Sequence, residues 1–180
     1  MINENNILIL EEAKRAILSN FFIMGICEEL KQFIEYKMQL GFPFGNLVLL
    51  HYRMFKGQNE DIHKIAAAIE VTILSLDILD DLQDQDDDCV PWMQIDPAIS
   101  MNLATVLILL STKLVEESNF PIDTKMQVIG CLKLSYNKEN RKDLWKTSVE
   151  LSALKGNETI FPLDTPITYG NYGNSSLIIE

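Results

Sequence analysis

Apolar residues recur at three- and four-residue steps from Glu11 to about Leu40, through Ala13, Ile17, Leu18, Phe21, Leu30, Phe33 and Ile34, and that period predicts helix. Gly41-Phe42-Pro43-Phe44-Gly45 interrupts it, and Leu47 to Phe55 reads as a buried helix. Lys56-Gly57-Gln58-Asn59 ends that helix, with Gly57 suited to a left-handed cap. Asn59 then caps a long helix with Glu60 and Asp61 in its first turn, where the helix dipole favours anions. Ile65, Ile69, Ile73 and Leu76 carry this helix to about Asp84. Asp96-Pro97 sets a capping carboxylate before a proline at the first helical position and opens a helix to roughly Glu117. A shorter helix is expected from Thr124 to Leu134.

After about Lys155 the helical period disappears. The tail is rich in Gly, Asn, Thr, Ser, Pro and Tyr, and Thr165 to Asn174 reads as loop or weak strand. No internal repeat is present. The expectation is an all-α bundle over residues 1–154 followed by an irregular tail over 155–180.

Composition narrows the function. The 180 residues suffice for one domain with a real core, and 47% of them are apolar, an ordinary globular share. A formal charge of −11 argues against nucleic acid or an anionic membrane surface as a partner and is compatible with cation binding. Cys27, Cys89 and Cys131 are odd in number and form no Cys-x-x-Cys pair, so they read as reduced thiols of a cytoplasmic protein, with Cys27 buried. The N-terminus lacks the basic region of a signal peptide. The longest apolar run, Leu103 to Leu110, is about half of a bilayer-spanning length, so no transmembrane segment is expected.

The informative chemistry is acidic. Asp80 and Asp84 stand four apart on one helix face, with Asp81 beside them and Asp77 one turn earlier. Like charges at that spacing cost roughly 0.2–0.5 kcal/mol each, and a helix C-terminus disfavours anions by roughly 0.3–1 kcal/mol more. A divalent cation reverses both penalties, and hard carboxylate oxygens suit Mg²⁺. A solvated helix end explains Asp86, Asp87 and Asp88 as well as any site does.

Asp80-Asp81-Leu82-Gln83-Asp84 resembles the first aspartate-rich motif of the trans-polyprenyl diphosphate synthases. Ala66-Ala67-Ala68-Ile69-Glu70 supplies the alanine-rich stretch and the glutamate that the family sets ten residues before its first aspartate, and Met54-Phe55-Lys56-Gly57 is similar to the preceding helix end. Ser75 to Leu82, with Pro91-Trp92-Met93, is most similar to the branch that attaches an isoprenoid to a tryptophan of a competence pheromone precursor in bacterial quorum sensing. The resemblance covers about residues 40–145 and implies a partial isoprenoid-synthase helical bundle. It further implies that Asp80 and Asp84 bind Mg²⁺ with Asp81 assisting, that an isoprenoid pyrophosphate and a peptide are the substrates, and that the protein forms a homodimer. The apolar face Ile73, Leu74 and Leu76 would line the isoprenoid pocket or pack in the core.

Three departures shape the expectation. The basic stretch that seats a second pyrophosphate in chain-elongating members is replaced by Gly41-Phe42-Pro43-Phe44-Gly45, which fits an indole acceptor better than chain elongation. Glu139-Asn140-Arg141-Lys142-Asp143-Leu144 is similar to a Gly-Gln-x-x-Asp-Leu element of the family, with Gly and Gln replaced. The second aspartate-rich motif is missing, since only Asp143 and Asp164 follow Asp123, so a C-terminally truncated homologue is expected. A non-catalytic helical binding module and a polyprenyl-synthase or terpene-cyclase-like activity are the alternatives. His51 and His63 share no helical register and read as surface or satisfied histidines, and Trp92 and Trp145 as packing residues.

Overall fold

The long apolar helix becomes the axis of the molecule. In the computed structural model, which describes residues 4–21, 23–85, 89–134, 154–155 and 158–159, the helices are α1 (Glu4–Asn20), α2 (Met24–Leu40), α3 (Pro43–Met54), α4 (Ile62–Asp84), α5 (Pro97–Glu116) and α6 (Ile122–Leu134). A 3₁₀ turn, Pro91–Met93, lies between α4 and α5. The fold is all-α as expected, apart from an antiparallel ladder of two residues a side, β1 (Leu154–Lys155) with β2 (Glu158–Thr159), at the expected start of the tail. The Glu139–Leu144 element, Asp86 to Asp88, Trp145 and the stretch from Thr165 lie outside the described residues.

Fifteen of the 23 residues of α4 are buried, which is why it is apolar on nearly all sides, and α1, α3 and α5 pack around it. Its two buried hydroxyls are both hydrogen-bonded. Thr72 Oγ1 donates to the Ala68 carbonyl at 2.9 Å, and Ser75 Oγ donates across to the Ala104 carbonyl of α5 at 2.9 Å. Ala66, Ala67, Ala68 and Ala104 keep the facing surfaces small, and Leu103, Leu107, Leu110 and Leu114 fill the seam. Among the described residues α5 is the one helix long and apolar enough to cross a membrane by length and composition. The expectation of no transmembrane segment rested on the run Leu103–Leu110, which Thr105 breaks, and in the structure Leu103, Leu107, Leu110 and Leu114 of α5 pack in the core.

The single periodic stretch from Glu11 to Leu40 is two helices. Ser19 Oγ donates to the Arg15 carbonyl at 2.8 Å and Asn20 Nδ2 to the Ala16 carbonyl at 2.9 Å, so side chains serve the last-turn carbonyls where α1 ends. The apolar period runs through the break because Ile9, Ala13 and Ile17 of α1 and Leu30, Phe33 and Ile34 of α2 face one core. Cys27 is buried, as expected. The Asp96 cap is also as read, its Oδ1 accepting from Ala98 N at 2.8 Å ahead of Pro97. Asn59 caps a preliminary turn, accepting from Asp61 N at 3.0 Å, and α4 itself starts at Ile62, which places Glu60 and Asp61 ahead of its first turn.

Two glycines do different work from that expected. The left-handed residue after α3 is Lys56, with φ 60°, while a Cβ on Gly57 would stand 2.3 Å from the Tyr52 ring, so Gly57 is there for space. The chain turns at Gly41, φ 92°, and Pro43 starts α3 at once, which places Gly45 inside that helix. A Cβ on Gly45 would meet Ile9 Cδ1 at 2.9 Å, Glu70 Cγ at 3.1 Å and the Ala66 carbonyl oxygen at 3.2 Å. Gly45→Ala is therefore expected to cost roughly 1–3 kcal/mol by overpacking, read as a lowered urea midpoint. An unchanged midpoint would show that α3 can back away.

Candidate functional site

The acidic residues occupy the last two turns of α4, where its apolar surround ends. Asp77, Asp80 and Asp81 are partly buried, and Asp84, the last helical residue, is exposed. Gln85 closes the helix in the left-handed region, φ 55°, its N–H donating to the Asp81 carbonyl at 2.8 Å. The register thus puts Asp80 and Asp84 one turn apart at the mouth of the helix, as the spacing implies.

Asp77 and Asp81 are gripped from outside α4. Lys37, in the last turn of α2, reaches Asp77 Oδ2 at 2.6 Å, with the lysine side chain 12% exposed and the aspartate 42%. Trp92, buried in the 3₁₀ turn, donates its indole Nε1–H to Asp81 Oδ2 at 2.7 Å. Phe33 and Tyr36 of α2 meet the Trp92 ring edge-on, at centroid distances of 5.6 and 5.5 Å. Trp92 fills the packing role expected of it, and nothing in the sequence beyond the Pro91-Trp92-Met93 match pointed to its hydrogen bond. Lys37 had no local signal, because forty residues separate it from Asp77.

Glu70 lies two turns deeper and is 2% exposed. Its Oε1 accepts from Gly45 N at 2.6 Å, while Oε2 has no hydrogen-bond partner. Burial pushes its pKa up to about 7, against the pull of the Gly45 N–H and the Lys37 charge. Glu70 and Lys37 line a cavity of about 10 Å³ with Ile34, Phe42, Val71 and Leu74. Ile73, Leu74 and Leu76 are 6%, 1% and 7% exposed and belong to the core, so of their two expected uses the structure shows packing. His51 and His63 each place Nδ1 within 2.9 Å of a carbonyl of the same chain segment, Leu47 and Glu60, but His63 is buried with no hydrogen-bond partner for its Nε2 among the described residues, so the expectation of a surface or satisfied histidine holds for His51 and not for His63. A polar cleft of about 500 Å³, lined by Glu11, Arg15, Glu60, Asp61, His63 and Lys64, lies at the opposite end of α4 from the aspartates.

Among the described residues, no three carboxylate, histidine or cysteine side chains converge tightly enough to hold a metal ion by themselves. That arrangement suits Mg²⁺ in one respect: it keeps several waters and takes one or two carboxylates plus substrate phosphates, not a closed protein cage. Asp80 and Asp84 offer such oxygens at a solvent-accessible helix end.

Comparison with known proteins adds a family context. The chain is 37% identical over 119 residues to the tryptophan prenyltransferase ComQ of Bacillus subtilis subsp. natto, covering 65% of this chain and 37% of that protein. It is 38% identical over 95 residues to ComQ of Bacillus subtilis and 40% identical over 85 residues to ComQ of Bacillus spizizenii, covering 52% and 47% of this chain and 31% and 30% of those proteins. No protein-family model and no solved structure matches the chain. The chain is thus similar to the ComQ tryptophan prenyltransferases and spans about a third of their length.

Proposed function

We propose that this chain serves the transfer of an allylic isoprenoid from its diphosphate to a tryptophan side chain of a peptide, the pheromone precursor of a competence system. The observation that carries the reading is the Asp80–Asp84 face at the end of a buried helix, in a chain 37–40% identical to proteins named tryptophan prenyltransferases. Asp80 and Asp84 would hold Mg²⁺, with Asp81 assisting from a fixed position. Bound there with the diphosphate, Mg²⁺ would neutralise the charge of the leaving group and ease cleavage of the allylic C–O bond. The C–O electron pair leaves with the diphosphate, an indole carbon supplies the pair for the new C–C bond, and the displaced ring proton passes to solvent. Lys37 keeps Asp77 neutralised, which limits the negative charge that an incoming diphosphate must meet.

The test is direct. Purified protein supplied with Mg²⁺, geranyl or farnesyl diphosphate and a tryptophan-containing peptide is expected to yield peptide heavier by one isoprenyl group, and chelation by EDTA is expected to stop it. A second reading, a helical binding module without catalysis, is favoured by the absence of three converging ligands among the described residues. Binding of Mg²⁺ with no affinity for isoprenoid diphosphate would select it. Release of a free hydrocarbon would select a terpene-cyclase-like activity instead.

A further inference from the structure

The geometry assigns Trp92 a positioning role in the acidic site: its indole N–H holds the Asp81 carboxylate in one orientation beside Asp80 and Asp84. The inference rests on the metal reading above and adds a residue to it.

An indole has one donor and no acceptor, and at 3% exposure Trp92 has no water to use it on. The donor is aimed at Asp81 Oδ2, at the short distance of 2.7 Å that suits a charged acceptor. The ring is fixed on both flanks by edge-on contacts, at interplanar angles of 79° to Phe33 and 90° to Tyr36. The backbone is fixed as well, since Ser100 Oγ of α5 donates to the Trp92 carbonyl at 2.5 Å and Met93 N to the Val90 carbonyl at 3.0 Å. Trp92 is thus clamped by α2, by α5 and by its own turn, and it passes that rigidity to a carboxylate of the motif. Carboxylates that serve a metal depend on hydrogen bonds behind them for their orientation, and losing such a bond typically costs 10–100-fold in metal affinity. Phe33 and Tyr36 sit next to Lys37 on α2, so one helix steadies both Asp77 and, through Trp92, Asp81.

Trp92→Phe keeps an aromatic ring in the clamp and removes only the N–H. With Mg²⁺ titrated in the presence of inorganic pyrophosphate and followed by calorimetry, Trp92→Phe is expected to need about 10- to 100-fold more Mg²⁺ for half-saturation, at unchanged helical content. In transfer assays the Mg²⁺ requirement is expected to rise while the rate at saturating Mg²⁺ stays close to that of the unsubstituted protein. Trp145→Phe leaves Trp92 as the sole indole of the two in the chain, and its emission is expected to shift saturably with the same titration. Trp92→Phe titrating like the unsubstituted protein would overturn the inference and leave the metal reading standing. So would indole emission indifferent to Mg²⁺ and pyrophosphate that calorimetry shows to be bound. No binding by the unsubstituted protein would overturn both.

Discussion

Asparagine at both Asp80 and Asp84 is expected to reduce isoprenyl transfer by three orders of magnitude or more while leaving the helical fold at least as stable. Each asparagine keeps the size and the oxygen of the side chain but removes the charge that a hard cation needs. Losing one fixed electrostatic contact to a developing anion costs on the order of 10²–10³-fold. The two losses are not additive, because one carboxylate is of little use without the other. Stability should move the opposite way. Asp80 and Asp84 stand one turn apart at a helix C-terminus, and removing that repulsion is worth a few tenths of a kcal/mol, roughly up to 1. Rates measured at saturating Mg²⁺ beside thermal unfolding of the same protein separate the effects. Transfer that survives the double substitution would remove these residues from the mechanism.

The run of like charges at the end of α4 was legible in the sequence, because both the helix and the charges are local. The capped start at Asp96-Pro97 was legible for the same reason, as was the run of α4 to Asp84. The break between α1 and α2 was not. It is marked by the pair Ser19 and Asn20 bonding back to the last turn, a signal that a strong apolar period on both sides conceals. The roles of Ile73, Leu74 and Leu76 stayed open because a pocket wall and a core face use the same residues. The packing of α1, α3 and α5 around α4 decided it.

The groups that organise the acidic end share a different obstacle. Lys37 pairs with a residue forty positions away, and the ring of Trp92 depends on Phe33 and Tyr36 of another helix. Neither contact has a local period or spacing to reveal it, and a lysine near a helix C-terminus reads as a dipole partner before anything else. Sequence therefore located the carboxylates but not their supports. Those supports matter because they offset the mutual repulsion that Asp77 and Asp81 would otherwise add to the helix end.

Glu70 is where this buried electrostatics should be most measurable. Its folded pKa of about 7 stands above the ordinary 4.5, so between those values the folded chain holds a proton that the unfolded chain releases. Unfolding free energy must then fall as pH rises through that window, at about 1.4 kcal/mol per unit at most, for a total of about 3 kcal/mol. Below the window both states are protonated and the contribution vanishes; above it both are ionised and the full penalty remains. Glu70→Gln keeps an oxygen for the Gly45 N–H and cannot ionise. Urea unfolding at pH 5 and pH 8 is expected to show a loss across the interval that is smaller by about 3 kcal/mol in Glu70→Gln than in the unsubstituted protein, whatever constant offset the amide introduces. Lys37→Met should extend the window to higher pH, because the lysine charge is among the forces holding the Glu70 pKa down. Parallel pH curves for Glu70→Gln and the unsubstituted chain would mean that Glu70 carries no proton at neutral pH, and that the Gly45 N–H and Lys37 compensate its burial in full.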